Sequence, residues 1–250
     1  MSRQLTSGVL GRKKEKKIVY GFLYNRWVGY AGTKNIANSG WRMSNDSDWY
    51  NLTDFVTNNL DPEIPQTAHL KSKRMNGSPL GGEFDTNINP FWNFNATTFG
   101  RDTVNLNIKP GGLRGGGATQ NFQLINDRVY LWRGNNIASI FINHNNLLTR
   151  SASSAWATTG FYVLITRDAT ISELSLIDGS YVDDYIGNTG QRYKAVKINT
   201  LIWTEPMIET HYNDGEEIPE IQSNADWLNL NTLEQGGRCS YNNDEQLAYI

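Results

Sequence analysis

The chain of 250 residues has a formal net charge of −2, and no apolar run approaches the roughly 18 residues that a membrane-spanning helix requires. This charge provides no global field that would favour nucleic acid, so we expect neither nucleic-acid nor membrane partners. The single cysteine, Cys239, excludes an internal disulfide framework and a cysteine-rich zinc site. The 29 asparagine and 23 glycine residues favour turns, and together with 12% aromatic residues they predict a loop-rich α+β domain.

Residues 1–17 are polar and end in a basic cluster, RKKEKK, which contains Arg12, Lys13, Lys14, Lys16 and Lys17. No apolar segment precedes this cluster, so the N-terminus lacks the pattern of a secretory signal. A segment of this composition is most simply a solvated tail. The alternative is an anchoring arm whose basic side chains bind another protein chain.

Residues 18–60 predict a strand followed by a helix. The aromatic stretch IVYGFLYNRWVGYAG is typical of a strand. Ser44 or Asn45 can cap the helix, and Trp49 and Leu52 fall on one of its faces. Two asparagines and a proline then end it.

The next hundred residues predict loops and short strands. Residues 61–100 are loop-like. Runs typical of strands lie at 103–108, 120–125, 128–132, 137–142 and 160–166. The glycine-rich stretch NIKPGGLRGGG, which ends at residue 117, lacks the spacing of a phosphate-binding loop, and no helix follows it to bind an anion.

Beyond residue 168, a polar and acidic stretch predicts a connector. The stretch RYKAVKINTLIWTE then alternates as a pair of strands, and Ser223, with Asp226 three residues later, begins a second short helix. The predicted organisation is an arm (1–17), a main part (18–168), a connector (169–190) and a segment that completes the same domain (191–250).

Several motifs in this sequence are characteristic of one domain family. They are YGFLYN (20–25), GWR (40–42), PGGLR (110–114), GFYV (160–163), YNDGEEIP (212–219) and CSYNND (239–244). In this set the chain resembles the Fibrobacter succinogenes major paralogous domain family, whose fold is similar to that of C-type lectins and formylglycine-generating enzymes. The resemblance implies an α+β, C-type-lectin-like fold with short antiparallel strands and two short helices. It also implies that Pro110, Gly111, Gly112 and Arg114 form a structural loop in which the arginine binds backbone carbonyls.

The order of the motifs departs from the family pattern, because the family's first segment, with Tyr193, Val196, Ile198 and Trp203, comes last here. In a circular permutant this segment would return to its own domain, since the termini of compact domains commonly lie close together. Alternatively, residues 191–250 complete a neighbouring protomer in a homo-oligomer. We favour the permutant, and both interpretations stay open.

No set of residues indicates catalysis. His69, His144 and His211 are scattered and have no neighbouring nucleophile. Cys239 stands where the family has a structural cysteine, so the cysteine chemistry of formylglycine-generating enzymes is not expected. The acidic clusters fit no calcium-binding loop. We therefore expect no enzymatic activity, no cofactor and no bound metal.

The stretch NHNNLLTRSASSAWATTG, from residue 143 to residue 160, combines short polar side chains with a tryptophan, which is typical of adaptable binding loops. In lectin-like folds the corresponding region often carries the ligand surface. We predict that Trp156, His144, Asn145, Asn146 and Arg150 form such a surface. The alternative is an ordinary loop whose tryptophan packs on the core.

Members of this family occur as surface lipoproteins of gut Bacteroidota and as virion proteins of their phages. Because the sequence has neither a signal peptide nor a lipobox cysteine, the resemblance implies a phage virion protein that assembles in the host cytoplasm, such as a head fibre, a capsid decoration or a tail-associated protein. The arm would bind capsid or tail subunits, and the domain would face host glycans. A bacterial cell-surface carbohydrate-binding protein is one alternative, and a glycan hydrolase with two opposed carboxylates is another.

Overall fold

The computed structural model describes residues 16–30, 34–73, 91–116, 121–134, 138–145, 148–152 and 157–250. Its strands are β1 (Leu23–Tyr24), β2 (Arg42–Met43), β3 (Gly111–Arg114), β4 (Phe122–Ile125), β5 (Arg128–Trp132), β6 (Ala138–Asn143), β7 (Leu148–Ala152), β8 (Ile165–Asp168), β9 (Tyr181–Ile186), β10 (Arg192–Ile198), β11 (Leu201–Thr204) and β12 (Arg238–Cys239). Its helices are α1 (Trp27–Tyr30), α2 (Asp46–Asn59), α3 (Gln66–Leu70), α4 (Ile171–Leu174), α5 (Asn224–Thr232) and α6 (Glu245–Ala248). The prediction of an α+β domain with short antiparallel strands is confirmed.

Local sequence signals explain where α2 begins. Of the two predicted caps, Ser44 and Asn45, the structure uses Asn45, whose side-chain oxygen accepts a hydrogen bond from the Asp48 amide at 3.1 Å. The Asp48 carboxylate accepts in return from the Asn45 amide at 2.9 Å. This capping box satisfies two amide groups that a helix end would otherwise leave unpaired. Trp49 and Leu52 then lie on the buried face, as predicted.

Within the described ranges, the strands form two five-stranded sheets and a two-stranded ribbon. The first sheet has the order β2-β8-β11-β10-β9, the second has the order β4-β3-β5-β6-β7, and β1 pairs with β12 in the ribbon. The pairing of β3 with β5 is parallel, with Gly112 opposite Val129, and the other strand pairs are antiparallel. The predicted strand pair in RYKAVKINTLIWTE is confirmed as the hairpin of β10 and β11.

The two ends of the described chain lie side by side. The amide of Lys17 donates to the Ile250 carbonyl at 2.6 Å, and the amide of Ile250 donates to the Lys17 carbonyl at 2.8 Å. Further along, Leu23 lies opposite Cys239 in the β1–β12 ribbon. In the first sheet, β11 pairs with β8 of the same chain. Residues 191–250 thus contribute strands both to the ribbon and to the first sheet of their own chain.

Aromatic side chains fill the interior. The ring centroids of Trp49 and Trp203 are 4.9 Å apart, and those of Trp132 and Phe161 are 4.5 Å apart. Such pairs contribute about 0.5–1.5 kcal/mol beyond the burial of their area. The indole nitrogen of Trp132 donates to the Tyr24 carbonyl at 2.8 Å, so this buried ring also satisfies its polar atom. Six of the seven tryptophans that the structure describes are therefore core residues.

Two predicted strands are wrong. The aromatic stretch that begins at residue 18 contains only the two-residue strand β1, and it turns into the helix α1 at Trp27. Residues 103–108 bend, because Asp102, Asn105 and Asn107 have positive φ values between 46° and 55°. The Asp102 carboxylate accepts from the Asn107 amide at 2.7 Å, and this local bond replaces strand pairing.

The structure contains more regular elements than the sequence predicted. Two helices were expected, whereas the described residues contain six, and the four additional helices are only four or five residues long. A single turn is too short to show a helical period, so periodicity could not predict these helices. The predicted connector 169–190 also contains α4 and β9, and β9 is the edge strand of the first sheet.

Two glycines allow β3 to lie between β4 and β5 in the second sheet. A Cβ atom on Gly111 would contact the ring of Tyr162, whose hydroxyl donates to the Gly111 carbonyl at 2.7 Å. Gly112 has a φ of +72°, and a Cβ atom there would overlap the Gln123 carbonyl oxygen on β4. The glycines of PGGLR thus permit a close approach of backbones, which a side chain would prevent.

We expect Gly112→Ala to destabilise the domain more than Gly190→Ala, and chemical denaturation of both variants measures the difference. Gly190 also has a positive φ, of +80°, but no atom lies within 4 Å of a Cβ placed there. Both variants lose about 1–2 kcal/mol from the left-handed backbone conformation. Gly112→Ala should lose about 1–3 kcal/mol more from overpacking. Equal losses would contradict the role assigned to close packing at β3.

Candidate functional site

The prediction that PGGLR forms a loop is wrong, because Gly111–Arg114 pair with β4 and β5 as strand β3. The arginine of this motif joins the main part of the domain to its C-terminal segment. Arg114 is fully buried. Its guanidinium donates to the carbonyls of Ile221 at 2.7 Å and Ser223 at 3.2 Å, and to the side-chain oxygen of Asn224 at 3.0 Å. It also lies 4.3 Å from the ring centroid of Trp227 on α5. The resemblance implied backbone carbonyls as partners of this arginine, and the contacts identify them as those that precede α5.

The structure describes only part of the predicted ligand surface. Trp156 and Asn146 lie outside the described residues. Arg150 lies in β7, where its backbone is opposite Ile140 of β6, and its side chain is also outside the description. Asn145 is exposed in the turn after β6. The described residues therefore do not bring the five predicted side chains together, and the ligand surface stays a prediction.

His144 is held against a neighbouring turn. Its Nδ1 atom lies 2.5 Å from the Asp127 carboxylate, and its amide donates to the Asp127 carbonyl at 2.8 Å. The same carboxylate lies 3.1 Å from Nε of Arg128. A ligand that uses the His144 imidazole would therefore compete with Asp127.

A buried lysine beneath this turn was missed by the sequence analysis. The side chain of Lys71 is almost fully buried, and its ammonium donates to the carbonyls of His144 at 2.9 Å and Asn143 at 3.4 Å. It lies 5.3 Å from the ring centroid of Trp92. In the described part of the chain no carboxylate is within ion-pair distance, and burial lowers the pKa of Lys71 to about 7. The amine thus holds the backbone of the turn at Asn143 and His144 through hydrogen bonds from the protein interior.

A lysine with a lowered pKa is a candidate functional group in any protein. Here the hydrogen bonds of the Lys71 ammonium all go to backbone carbonyls under the turn, which favours a supporting role. No sequence pattern could have identified it, because Lys71 lies in the basic stretch HLKSKR, which is typical of a solvated surface. Its burial results from long-range pairing, since its backbone forms a bridge with Ile108.

The base of the arm lies against the C-terminus. The ammonium of Lys16 is 3.6 Å from the ring centroid of Tyr249, and Gln191 donates to the Lys16 carbonyl at 3.1 Å. Lys17 exchanges backbone hydrogen bonds with the last residue, as described above. The other three predicted anchoring residues, Arg12, Lys13 and Lys14, lie outside the described residues. The described base of the arm, Lys16 and Lys17, therefore lies where the two ends of the described chain meet.

The cysteine and two of the histidines, which are the residue types most often used in catalysis, lie in surroundings typical of structural residues. Cys239 is buried, and burial raises the pKa of its thiol to about 11, whereas a nucleophilic cysteine requires a lowered pKa. Nδ1 of His69 lies 2.7 Å from the Thr103 hydroxyl, and Nδ1 of His211 lies 2.9 Å from the Thr210 hydroxyl. Over the ranges given above, no group of three or more His, Cys, Asp or Glu residues is placed to hold a metal ion.

None of the helices in the ranges above is long and apolar enough to span a membrane.

Comparison with known proteins identifies one family. The family model of the Fibrobacter succinogenes major domain, which describes the family's sequences, matches residues 3–159, more than half of the chain. The matched range includes the PGGLR motif, Lys71 and most of the predicted ligand loop, and it ends before β8. The comparisons with curated proteins and with solved structures gave no match.

We expect Lys71→Met to change how stability depends on pH. The folded-state pKa of about 7 lies below the ordinary value of 10.5. Between these values the unfolded chain binds a proton that the folded chain does not, so the wild type gains stability as pH rises, by up to about 1.4 kcal/mol per pH unit. The stability of Lys71→Met relative to the wild type should therefore fall as pH rises from 7 to 9.5.

Urea denaturation at several pH values measures this difference, in which the titration of all other groups cancels. Lys73→Met, two residues along at an exposed position, is the matched control and should give a difference that does not vary with pH. The same flat profile for Lys71→Met would contradict the burial of a charged amine at this position.

Proposed function

The chain belongs to the Fibrobacter succinogenes major domain family, and we propose that it is a non-catalytic structural and adhesive protein of a bacteriophage virion. In this proposal it is a head fibre, a capsid decoration or a tail-associated protein. The domain has a C-type-lectin-like fold with circularly permuted chain order. The basic arm attaches it to other virion subunits, and the segment 143–159, which includes β7, presents a surface to host glycans.

The observation that carries the proposal is the pairing of the two chain ends at the base of the arm. Residues 17–24 lie alongside residues 238–250, so the described base of the basic segment lies beside the C-terminus. We propose that the segment extends from this one place. A domain attached through a single basic projection leaves the rest of its surface free to contact another partner. This arrangement suits a protein that is displayed on a larger assembly.

The contacts of the C-terminal segment support the permuted chain order. The strands β8 and β10 lie in one sheet, and the chain between them passes through α4 and β9 before it returns. The ends that permutation would create, near Lys17 and Ile250, are hydrogen-bonded to each other. These are the relations that joining the old termini and opening new ones would produce.

Deletion of residues 1–15 tests the anchor. We expect the full chain to be incorporated into phage particles, with lysine cross-links from residues 12–17 to another virion chain. The deleted chain and the triple variant Arg12→Gln, Lys13→Gln, Lys14→Gln should be absent from particles but folded in the lysate. Recovery of the deleted chain in particles would remove the anchoring role. The mass of the deleted chain in solution tests permutation, because a domain completed by its own segment is monomeric and an exchanged segment gives an oligomer.

A glycan array tests the adhesive part of the proposal. We expect the full-length protein to bind a subset of host surface glycans and Trp156→Ala to weaken that binding at least about tenfold, as expected from the loss of about 1.4 kcal/mol. Tyr50→Ala, which removes an exposed aromatic side chain from α2, is the control and should bind like the wild type. Unchanged binding by Trp156→Ala would exclude the loop as the ligand surface.

A further inference from the structure

A groove lies at the C-terminal end of α5, and it shares no residue with the predicted ligand loop. Its volume is 430 Å³, and the residues around it include Lys34, Tyr212, Glu216, Glu217, Leu233 and Glu234. Grooves of roughly 300–1,000 Å³ accommodate small molecules or a few side chains. The groove is thus large enough for an organic ligand.

The charge of the groove is negative. Lys34 forms an ion pair with Glu216, which leaves the carboxylates of Glu217 and Glu234 without an ion pair in the part of the chain that the structure describes. One positive and three negative side chains give a net charge of −2. The helix dipole adds to this negative potential at the C-terminal end of α5, and no basic residue in the last turn of that helix offsets it. The groove therefore favours a cation.

A largely buried tyrosine whose hydroxyl faces the groove gives a second and independent indication of a ligand. Tyr212 is only 3% exposed, and a Cβ atom on Gly236 would overlap its hydroxyl oxygen. Both residues line the groove, and among the described residues this hydroxyl has no hydrogen-bond partner. Burial, and then the nearby carboxylates of Asp214 and Glu216, raise the pKa of Tyr212 well above its ordinary value, so the phenol stays protonated at neutral pH.

The chemistry of these residues favours an ammonium or guanidinium group over a metal ion. Across the described ranges no three His, Cys, Asp or Glu side chains are placed to hold a metal. The ammonium of Lys34 already lies 5.6 Å from the ring centroid of Tyr212, which shows that this ring can stand beside a cation. Carboxylates, an aromatic ring and an unpaired hydroxyl together provide the acceptors that a lysine or arginine side chain requires.

We propose that this groove binds the basic arm of a second copy of the protein, with the side chains of Arg12, Lys13 and Lys14 at Glu217 and Glu234. Residues 12–15 carry three positive charges and one negative charge, so their net charge of +2 neutralises that of the groove. Lys16 and Lys17 of the donor stay at its own C-terminus. Each copy has one arm and one groove, and such head-to-tail contacts close into a ring or extend into a fibre.

This inference rests on the anchoring arm of the proposed function, and it identifies the partner of that arm as the groove of a second copy. The first test is a titration with a fluorescent peptide of residues 6–15. The receptor is the full chain with Arg12→Gln, Lys13→Gln and Lys14→Gln, so that its own arm does not compete. We expect saturable binding that weakens as salt is raised, because the contacts are between charges. Adding Glu217→Gln and Glu234→Gln to the receptor should weaken binding at least about tenfold.

Two controls accompany this titration. Glu63→Gln changes an exposed glutamate in the turn between α2 and α3 and should leave peptide affinity unchanged. Tyr212→Phe removes only the unpaired hydroxyl and should weaken the binding of the peptide without lowering the thermal unfolding temperature. Peptide binding that is absent, or equal for the receptor with and without the two glutamine substitutions, would overturn the proposal. Binding of spermidine but not of the peptide would also overturn it, because the occupant would then be a small polyamine.

The second test is the mass of the unmodified chain by light scattering. We expect an oligomer that dissociates when Glu217→Gln and Glu234→Gln are introduced. A wild-type monomer that nevertheless binds the peptide would mean that each arm occupies its own groove, which overturns the choice of a second copy. If the groove fails both tests while residues 1–15 are still required for incorporation into particles, the virion anchor stands and only the groove assignment falls.

Discussion

The buried guanidinium of Arg114 connects two parts of the chain that lie more than a hundred residues apart. A buried charge is costly unless it is hydrogen-bonded, and here the backbone just before α5 supplies the acceptors, while the Trp227 ring lies against the cation. Gly160 brings a further strand close, since a Cβ atom there would lie 3.0 Å from Trp227 and 3.1 Å from Cβ of Arg114. The main part of the domain supplies the buried cation, and the C-terminal segment supplies the carbonyls that accept its hydrogen bonds. Each part therefore stabilises the other.

Other ionisable groups in the core are also buried and hydrogen-bonded. Glu209 is fully buried, burial raises its pKa, and the Tyr193 hydroxyl donates to its carboxyl at 2.7 Å. Lys71 lies under the turn at His144 and is bound by carbonyl oxygens. In each case an ionisable group is covered and bound to neighbouring polar atoms. The interior thus uses polar side chains to fix neighbouring segments in place.

The sequence predicted the elements whose signals are local. The capping residues Asn45 and Ser223 marked the starts of α2 and α5, and alternation marked β10 and β11. It failed where distant contacts decide the structure. Residues 103–108 have the composition of a strand, but their asparagines adopt left-handed conformations, and the burial of Lys71 depends on its pairing with Ile108. Tyr212 was likewise hidden, because its place in the groove depends on α5 and Gly236. Of the predicted site, the motif PGGLR could be read from the sequence, whereas Asn146 and Trp156 of the predicted ligand surface lie outside the described residues.

The antiparallel contact between residues 17–24 and 238–250 also determines how the domain responds to mechanical load. A pull on the arm acts first on the hydrogen bonds between Lys17 and Ile250, and then on those from Val19 and Tyr20 to Ala248 and Leu247. If the pull is perpendicular to the strand, these bonds open one after another, whereas a pull along the strand loads them together. If the domain is held through its arm as proposed, the direction of the pull therefore sets the force at which this contact opens, independently of the equilibrium stability of the core.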